Sequence, residues 1–381
     1  MSTDNCYIPK LDRAPTVNDL TLALAARGGD LIAQPSERIR CMARMSLAEM
    51  AAEAAFWQYG ATQASYEESL RGEFDLSSGM MASAFDNFFG TTVLNSYAQS
   101  PDKSDDLLME VDVKNYLPAR IIVAVDNMHL SVRGNGRADL QSLTAYAYAW
   151  RAFEYARAIL IDEKDLINDS FGVIRTCAQA LGRAPRRAKE DLLFAMILEN
   201  PVLPTDSEKL FSEAHNNILS GPSSELGSES LASAIQKIRE QVFIDPDGYV
   251  VHCELEPRYL VVPPALETRA RQYLRLQKLD DLKTDIELRV TSRLSNLGVV
   301  NPISGVVWQG SSTNWALFTS AKSSPCFAIG YLEGNRRPAI RTAQLGGAGG
   351  VGGRWGLSFD IHQGFAMCPV DYRGGVFSVG A

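Results

Sequence analysis

The sequence predicts a mixed α+β fold, because segments with a helical period and segments with a strand period follow one another in blocks. Ser46 and Glu49 form a capping box, and apolar residues then recur at helical spacing as far as Trp57. A long apolar stripe over residues 171–197 predicts a second, longer helix. Residues 145–150 alternate between alanine and an aromatic side chain, which is the period of a strand.

The composition is that of a chain that buries hydrophobic cores. Of its 381 residues, 46% are hydrophobic and 22% are charged, which argues against general disorder, a collagen-like repeat or a coiled-coil rod. The chain is long enough for more than one packed unit. No uncharged apolar run of about 18 residues is present, so no membrane span is predicted. We also expect no secretory signal, since residues 1–6 lack a basic stretch followed by an apolar one.

The charge balance argues against a surface built to bind nucleic acid. There are 37 basic and 45 acidic residues, a net charge of −8, whereas proteins that neutralise phosphates carry a basic patch. This charge balance still allows a protein that encloses nucleic acid without binding it tightly. The six cysteines are scattered with no CxxC pair, which predicts reduced cytosolic thiols.

No motif predicts a catalytic residue, a cofactor or a metal. The densest candidate cluster, His252-Cys253-Glu254, offers at most two ligands on one strand face, so an ordinary surface strand is expected. The glycine-rich stretch at 346–356 lacks the Lys-Ser/Thr ending of a phosphate loop and predicts a mobile loop. No Gly-x-Ser-x-Gly elbow occurs. The basic run at 183–189 is followed at once by Glu190, which predicts a solvated helix face or a subunit contact.

Three further features bear on organisation. Residues 1–45 show little period and predict an arm that becomes ordered on a neighbour. Residues 80–98, which are rich in phenylalanine, predict a packed helix. Pro185 lies inside the long helical stripe and is expected to kink or split that helix.

Residues 105–160 predict a long β-hairpin. Asn135-Gly136 takes the positive φ of a tight hairpin turn, and the return limb carries the alternating aromatic residues. A two-stranded ribbon of this length is only marginally stable alone, so it is expected to lie on another molecule or domain. No lysine occurs between residues 126 and 139. The candidate subunit contacts are Arg133, Asn135, Arg137, Tyr146, Tyr148 and Trp150.

Several stretches, taken in order, resemble the Mu-like major head subunit (gpT-type) family of tailed-phage major capsid proteins. The most specific is Tyr259-Leu260-Val261-Val262-Pro263-Pro264-Ala265-Leu266-Glu267-Thr268, a strand that leads into a helix. The others are Tyr155-Ala156-Arg157, Leu166-Ile167-Asn168-Asp169, Ala180-Leu181-Gly182-Arg183-Ala184, Glu199-Asn200-Pro201, Tyr331-Leu332-Glu333-Gly334 and Val370-Asp371-Tyr372-Arg373-Gly374-Gly375. The resemblance covers residues 40–381 and is strongest after 150.

The resemblance implies the Hong Kong 97-type capsid fold, which is an α+β fold. Its parts are an N-terminal arm with helices, an extended loop, a peripheral domain with a long spine helix, and an axial domain. On this sequence the expected bounds are 1–104 for the arm, 105–160 for the extended loop, 161–221 with 326–381 for the peripheral domain, and 222–325 for the axial domain.

The function that the resemblance implies is self-assembly. Identical chains are expected to form hexamers and pentamers that close into an icosahedral shell around double-stranded DNA, in a virion assembled in the bacterial cytoplasm. Scaffold, portal and decoration proteins are the expected partners, and no membrane is involved. Two alternatives stay open: an encapsulin-like compartment that encloses cargo, and a stand-alone hydrolase, for which loss of activity on replacing His252 would be the test.

Overall fold

The computed structural model describes residues 10–30, 32–59, 73, 79–124, 145–162, 164–165, 168–244, 250–279, 285–345 and 356–380. At a few ends of helices and strands, Tyr146 among them, it describes the backbone alone. The chain forms two compact units. Unit 1 comprises residues 1–100, 156–186 and 337–363, and unit 2 comprises residues 101–155, 187–336 and 364–381.

Helices and strands alternate in blocks along the described residues, which confirms the predicted α+β class. The helices are α1 Val17–Arg27, α2 Glu37–Ala43, α3 Leu47–Tyr59, α4 Met80–Gln99, α5 Phe171–Glu199, α6 Ser228–Arg239 and α7 Glu267–Leu279. The strands are β1 Leu108–Val113, β2 Ala119–Ala124, β3 Ala145–Trp150, β4 Phe153–Asp162, β5 Ile218–Leu219, β6 Val242–Ile244, β7 Val250–His252, β8 Pro257–Val262, β9 Glu287–Val290, β10 Val299–Val300, β11 Val307–Trp308, β12 Trp315–Thr319, β13 Phe327–Leu332, β14 Ala339–Leu345, β15 Gly356–Pro369 and β16 Gly375–Ser378.

The first part of the chain contains two helices, which the lack of a clear period over residues 1–45 did not predict. Helix α1 begins with a capping box in which the Thr16 hydroxyl accepts from the Asp19 amide and the Asp19 carboxylate accepts from the Thr16 amide. It buries Leu20, Ala23 and Leu24, which lie on one face at helical spacing. These signals are present in the sequence, but α1 and α2 are short and their apolar faces are narrow.

Helix α3 begins as the sequence predicts. The Ser46 hydroxyl accepts from the Glu49 amide, and the Glu49 carboxylate accepts from the Ser46 amide. One residue on this helix departs from the simple amphipathic pattern, because Glu53 is fully buried. Its carboxylate accepts hydrogen bonds from the backbone amides of Lys10 and Leu11, at 3.0 and 2.9 Å, and thereby holds the preceding segment against α3.

Aromatic side chains fill the core of unit 1. The ring of Phe89 in α4 stacks on Phe359 in β15 with 3.9 Å between centroids, and Phe88 packs against Phe171 at the start of α5. Phe359 lies in the part of β15 that pairs antiparallel with β14. The phenylalanine-rich stretch predicted as packing surface is therefore the centre of this core.

The sequence predicts that Pro185 kinks or splits helix α5, but α5 runs without interruption from Phe171 to Glu199, so Pro185 does not split it. A proline inside a helix removes one backbone hydrogen bond and costs about 3 kcal/mol. Leu181 is buried in the core of unit 1, and Leu192 and Leu193 are buried in the core of unit 2. Burial of each such side chain contributes roughly 1.5–3 kcal/mol, which offsets the missing bond.

Two sheets organise unit 2. In one sheet β1 pairs parallel with β13, and β13 pairs antiparallel with the last part of β15. In the other the strand order is β5-β16-β12-β8-β9, and all five residues of β12 are buried. The indole nitrogen of Trp315 in β12 donates to the Ser224 carbonyl at 2.9 Å, which satisfies the one polar atom of this buried side chain.

Replacing Gly182 with alanine is expected to destabilise unit 1, because a Cβ at this position in α5 would lie 2.3 Å from the Val93 carbonyl oxygen in α4. Relief of that overlap requires the helices to separate, and overpacking of this kind costs about 1–3 kcal/mol. Gly90→Ala, at a helical glycine with open space around it, is the control and is expected to stabilise by up to about 1 kcal/mol. Urea denaturation measures both; equal effects of the two variants would contradict the close contact.

Candidate assembly interface

The predicted hairpin is present as an antiparallel pair of strands. Ile121 in β2 lies opposite Tyr148 in β3, and Ala119 lies opposite Trp150. The backbone of Tyr146 pairs with Val123. The turn of the hairpin, with its predicted contact residues Arg133, Asn135 and Arg137 and its lysine-free tip at 126–139, lies outside the described residues.

The base of the hairpin packs against the chain's own core. Tyr148 and Trp150 are only 4% and 7% exposed and belong to the hydrophobic core of unit 2. The Trp150 ring fills the space above Gly330 of β13, where a Cβ would lie 2.5 Å from the ring. Since any larger residue at position 330 would displace the indole, Gly330 is required for this contact. These two aromatic side chains thus anchor the hairpin within its own chain.

The segment that leads into β1 is fastened by buried ion pairs. The ammonium group of Lys189 in α5 contacts the carboxylate of Asp102 at 2.5 Å, and it also donates to Asp105. Both Lys189 and Asp102 are nearly inaccessible to solvent. A buried charge is tolerated only when it is paired and hydrogen-bonded, and here the carboxylate of Asp102 also accepts from the amide and hydroxyl of Ser104.

The next residue of α5 extends this network. Glu190 accepts from the Lys103 amide at 3.0 Å and contacts the Arg293 guanidinium at 2.5 Å. Arg293 also contacts Asp191 at 2.5 Å. The Lys103 ammonium group donates to the carbonyl of Val290 at 2.7 Å. The residues before β1, the second half of α5 and the segment after β9 are therefore joined by charge-assisted hydrogen bonds.

The ion pair shifts the pKa values of its members. Burial alone lowers the pKa of Lys189, but the field of Tyr331 and the contacts with Asp102 outweigh it, and the pKa of Lys189 is raised above its ordinary value. Burial alone raises the pKa of Asp102, but the neighbouring Lys189 outweighs it, and the pKa of Asp102 is lowered. Both shifts favour the charged pair at neutral pH.

The basic run at 183–189 has no common role. Arg183 and Arg187 are exposed, as a solvated helix face predicts. The Arg186 guanidinium lies over the ring of Tyr97, 4.8 Å from its centroid. Lys189 is buried in the network described above, so the prediction of a solvated face or subunit contact is wrong for this residue. Sequence reasoning missed it because its partner Asp102 is distant along the chain.

The motif Asp371-Tyr372-Arg373, near the end of the sequence, takes part in a stack of aromatic rings and a guanidinium group. The Arg373 guanidinium lies 4.0 Å from the ring centroid of Phe243 and 4.4 Å from that of Tyr372. The Tyr372 ring stacks in parallel on the imidazole of His215 at 3.8 Å. Arg373 is further held by Asp371 and by the carbonyl of Val242. This motif therefore joins the last part of the chain to β6 and to the segment before β5.

In two of the sequence motifs named above, the glycines are explained by the lack of space for a side chain or by a positive φ. A Cβ on Gly374 would lie 2.1 Å from the Ser324 carbonyl oxygen, and one on Gly375 would lie 2.6 Å from the Phe318 ring. At the end of β13, Glu333 and Gly334 both adopt positive φ, and the Asn335 amide donates to the Leu332 carbonyl. Two consecutive positive φ values define a type I′ turn, which favours glycine.

The candidate cluster at 252–254 does not form a site in the described parts of the chain. Burial raises the pKa of the Cys253 thiol to about 11 and that of Cys368 to about 12, so neither is a thiolate at neutral pH. His252 ends β7, whereas Glu254 lies beyond the strand with a positive φ, so the two do not share a strand face. Among the described residues, no group of His, Cys, Asp or Glu could hold a metal ion. No described helix combines the length and apolar character needed to cross a membrane.

Comparison with known proteins identifies the class to which this anchored hairpin and long helix belong. The family described as phage capsid protein matches residues 147–377, which is more than half of the chain. The chain therefore belongs to the phage capsid protein family, which confirms the prediction of a phage capsid fold and function. That family is one of structural proteins, and the match favours a phage capsid over an encapsulin-like compartment.

Solved structures similar to this chain include three capsid or particle proteins. The virus-like particle from Pyrococcus furiosus is 10% identical, with a TM-score of 0.44 over 76% of this chain and 96% of that chain. Mycobacterium phage Adephagia is 13% identical, with a TM-score of 0.46 over 74% and 90%. The mature capsid of bacteriophage PhiM1 is 12% identical, with a TM-score of 0.47 over 74% and 87%. No curated protein sequence matches the chain significantly.

Lys189→Met is expected to destabilise unit 2 by about 3–5 kcal/mol at pH 7, because it removes the buried cation that contacts the Asp102 carboxylate. Asp102 has a lowered pKa in the folded wild type, so its contribution is present above its ordinary value of 3.8 and is lost as the pH falls through the lowered pKa. The difference between variant and wild type should therefore shrink in acid. Denaturant unfolding from pH 3 to 8 measures this.

The control for this prediction is Arg187→Met, which removes an exposed cation from the same helix and is expected to change stability by less than about 0.5 kcal/mol. If both variants lose the same stability, or if the Lys189→Met difference is independent of pH, the buried pair does not contribute as described.

Proposed function

We propose that this chain is the major capsid protein of a tailed phage of the Mu-like major head subunit (gpT-type) family. Copies of the chain assemble into hexamers and pentamers, and these close into an icosahedral shell around double-stranded DNA. The observation that carries the proposal is membership of the phage capsid protein family over residues 147–377. The protein resides in the virion after assembly in the bacterial cytoplasm.

The division into parts follows the Hong Kong 97-type plan. Residues 1–104 are the N-terminal arm, 105–160 the extended loop, 161–221 with 326–381 the peripheral domain, and 222–325 the axial domain. The continuous helix α5 supports its assignment as the spine helix, because its 29 residues span about 44 Å at 1.5 Å per residue. The antiparallel pairing of β2 with β3 supports the assignment of the extended loop.

The extended loop makes the contacts between subunits. The sequence predicts Arg133, Asn135 and Arg137 in the turn of this loop, and these residues together with Tyr146 of β3 contact carboxylates and apolar surface of a neighbouring copy. Tyr148 and Trp150 contribute indirectly, because they are buried at the base of the hairpin and anchor it to the core of unit 2. An anchored base lowers the entropic cost of placing the turn on a neighbour.

The shell encloses DNA without binding a sequence. A net charge of −8 disfavours tight binding of a polyanion and leaves the packaged DNA free to rearrange. Scaffold, portal and decoration proteins are the further partners. The role is structural, with no catalysis, no cofactor and no membrane attachment.

The first experiment is size exclusion with light scattering on the chain expressed alone, followed by negative-stain imaging of the same peak. Rings of several hundred kilodaltons or closed megadalton shells are expected, in place of the 41.7 kDa chain. Nuclease-protected double-stranded DNA in particles from infected cells would identify the phage role. Particles that enclose a protein cargo and no DNA would contradict that role and favour a compartment.

Reversing two charges at the hairpin turn, Arg133→Glu with Arg137→Glu, is expected to lower the assembled fraction at least tenfold. Each contact between an arginine and a neighbour's carboxylate would become a like-charge repulsion. The matched control is Arg337→Glu with Arg341→Glu, which changes the same number of exposed arginines on and next to β14. Assembly that is equally reduced in both variants, or in neither, would contradict a specific role for the turn.

A further inference from the structure

A second hairpin of unit 2 exposes apolar side chains. Between Leu294 and Ala321 the sequence contains no charged residue, although 22% of the whole chain is charged. Within this stretch β10 and β11 form an antiparallel pair in which Val299 lies opposite Trp308 and Val300 lies opposite Val307. The inward pair is ordinary core, since Val299 is buried and Trp308 packs against the same hydrophobic cluster.

The pair on the outward face, Val300 and Val307, is unusual because both side chains are apolar. A hairpin with one solvated face normally carries polar side chains on that face, yet here Val300 and Val307 are 52% and 55% exposed. Leu297, just before β10, is 85% exposed, and Ile303 and Val306 in the connecting turn are also exposed. We call these five side chains, Leu297, Val300, Ile303, Val306 and Val307, the outer face. A contiguous apolar patch of this kind marks an interaction site.

Hydrogen bonds hold the outer face in shape. The Asn301 amide donates to the Val306 carbonyl at 2.8 Å, and the Asn301 side-chain oxygen accepts from the amides of Ile303 and Ser304. The Ser312 amide donates to the side-chain oxygen of Asn296 at 2.8 Å, which ties the stretch before β10 to the stretch after β11. The apolar side chains are therefore presented by a fixed turn, and little entropy is lost when a partner covers them.

Charge identifies the kind of partner. The outer face has no cation to hold a phosphate and no anion to hold a basic protein, so neither nucleic acid nor a basic tail fits it. Two copies of a chain with a net charge of −8 repel one another over most of their surface. An uncharged apolar face is where that repulsion is smallest and where the gain from burying surface is largest.

We infer that the outer face docks on a second copy of this chain and is one of the contacts that hold the assembly together. The inference rests on the proposed function, in that it presupposes self-assembly, and it assigns part of the binding to a surface distinct from the hairpin turn at 133–137. The contact buries aliphatic side chains of one copy against apolar surface of another.

The test is the double variant Val300→Asp with Val307→Asp, which places two carboxylates in the centre of the outer face. Both side chains point away from the core, so circular dichroism and the melting temperature are expected to stay close to the wild type. The assembled fraction, measured by light scattering, is expected to fall more than tenfold because unpaired charges would be buried. Val202→Asp, at a valine of unit 2 that is 57% exposed and lies outside the outer face, is the control and is expected to assemble.

A second readout does not depend on substitution. Hydrogen exchange of peptides covering residues 297–308 should be slower in wild-type particles than in dissociated wild-type chains. If the wild type assembles and the double variant assembles equally well, the outer face is not a contact, while the proposed function stands. If the wild type remains a single chain, both proposals fail, and binding of that chain to phosphatidylcholine vesicles, abolished by the double variant, would show a lipid occupant instead.

Discussion

The buried pair of Lys189 and Asp102 is the constraint on which the rest of unit 2 depends. Burying an ammonium group or a carboxylate without an oppositely charged partner costs free energy. The fold is therefore stable only if the two groups are in contact. Lys189 is fixed by helix α5, and Asp102 precedes β1. The contact therefore holds the segment that leads into β1, and β1 runs parallel along β13, a pairing that no short turn could define.

The same strand β13 also positions the base of the long hairpin. Val113 at the end of β1 and Trp150 at the end of β3 both occupy the space above Gly330. The end of β1 and the end of β3 thus meet at one position on β13. A ribbon that would be marginal alone acquires a defined starting direction from this contact. For a subunit that places the distal turn on a neighbour, preorganisation at the base is what makes a small distal contact effective.

The sequence predicted what depends on local period and missed what depends on distant partners. The capping box at Ser46, the extent of α5 and strand β3 followed from capping residues and residue spacing. The Asp371-Tyr372-Arg373 phrase was recognised only as a resemblance, because its stack requires His215 and Phe243 from elsewhere in the chain. Lys189 was misjudged for the same reason. Helices α1 and α2 were missed although their caps are local, since their apolar faces span too few residues to stand out.

The distribution of charge links these features to assembly. Many of the arginine and lysine side chains in the described residues are used within the chain: Lys189, Arg289, Arg293 and Arg373 each contact at least one carboxylate. Cations that contact carboxylates in this way are not free to bind the phosphates of DNA, and the excess of acidic residues gives the chain a net charge of −8. Copies of such a chain attract one another poorly through general electrostatics. Self-association is then expected to come from local complementarity, which we propose at the arginines of the predicted hairpin turn and at the uncharged outer face.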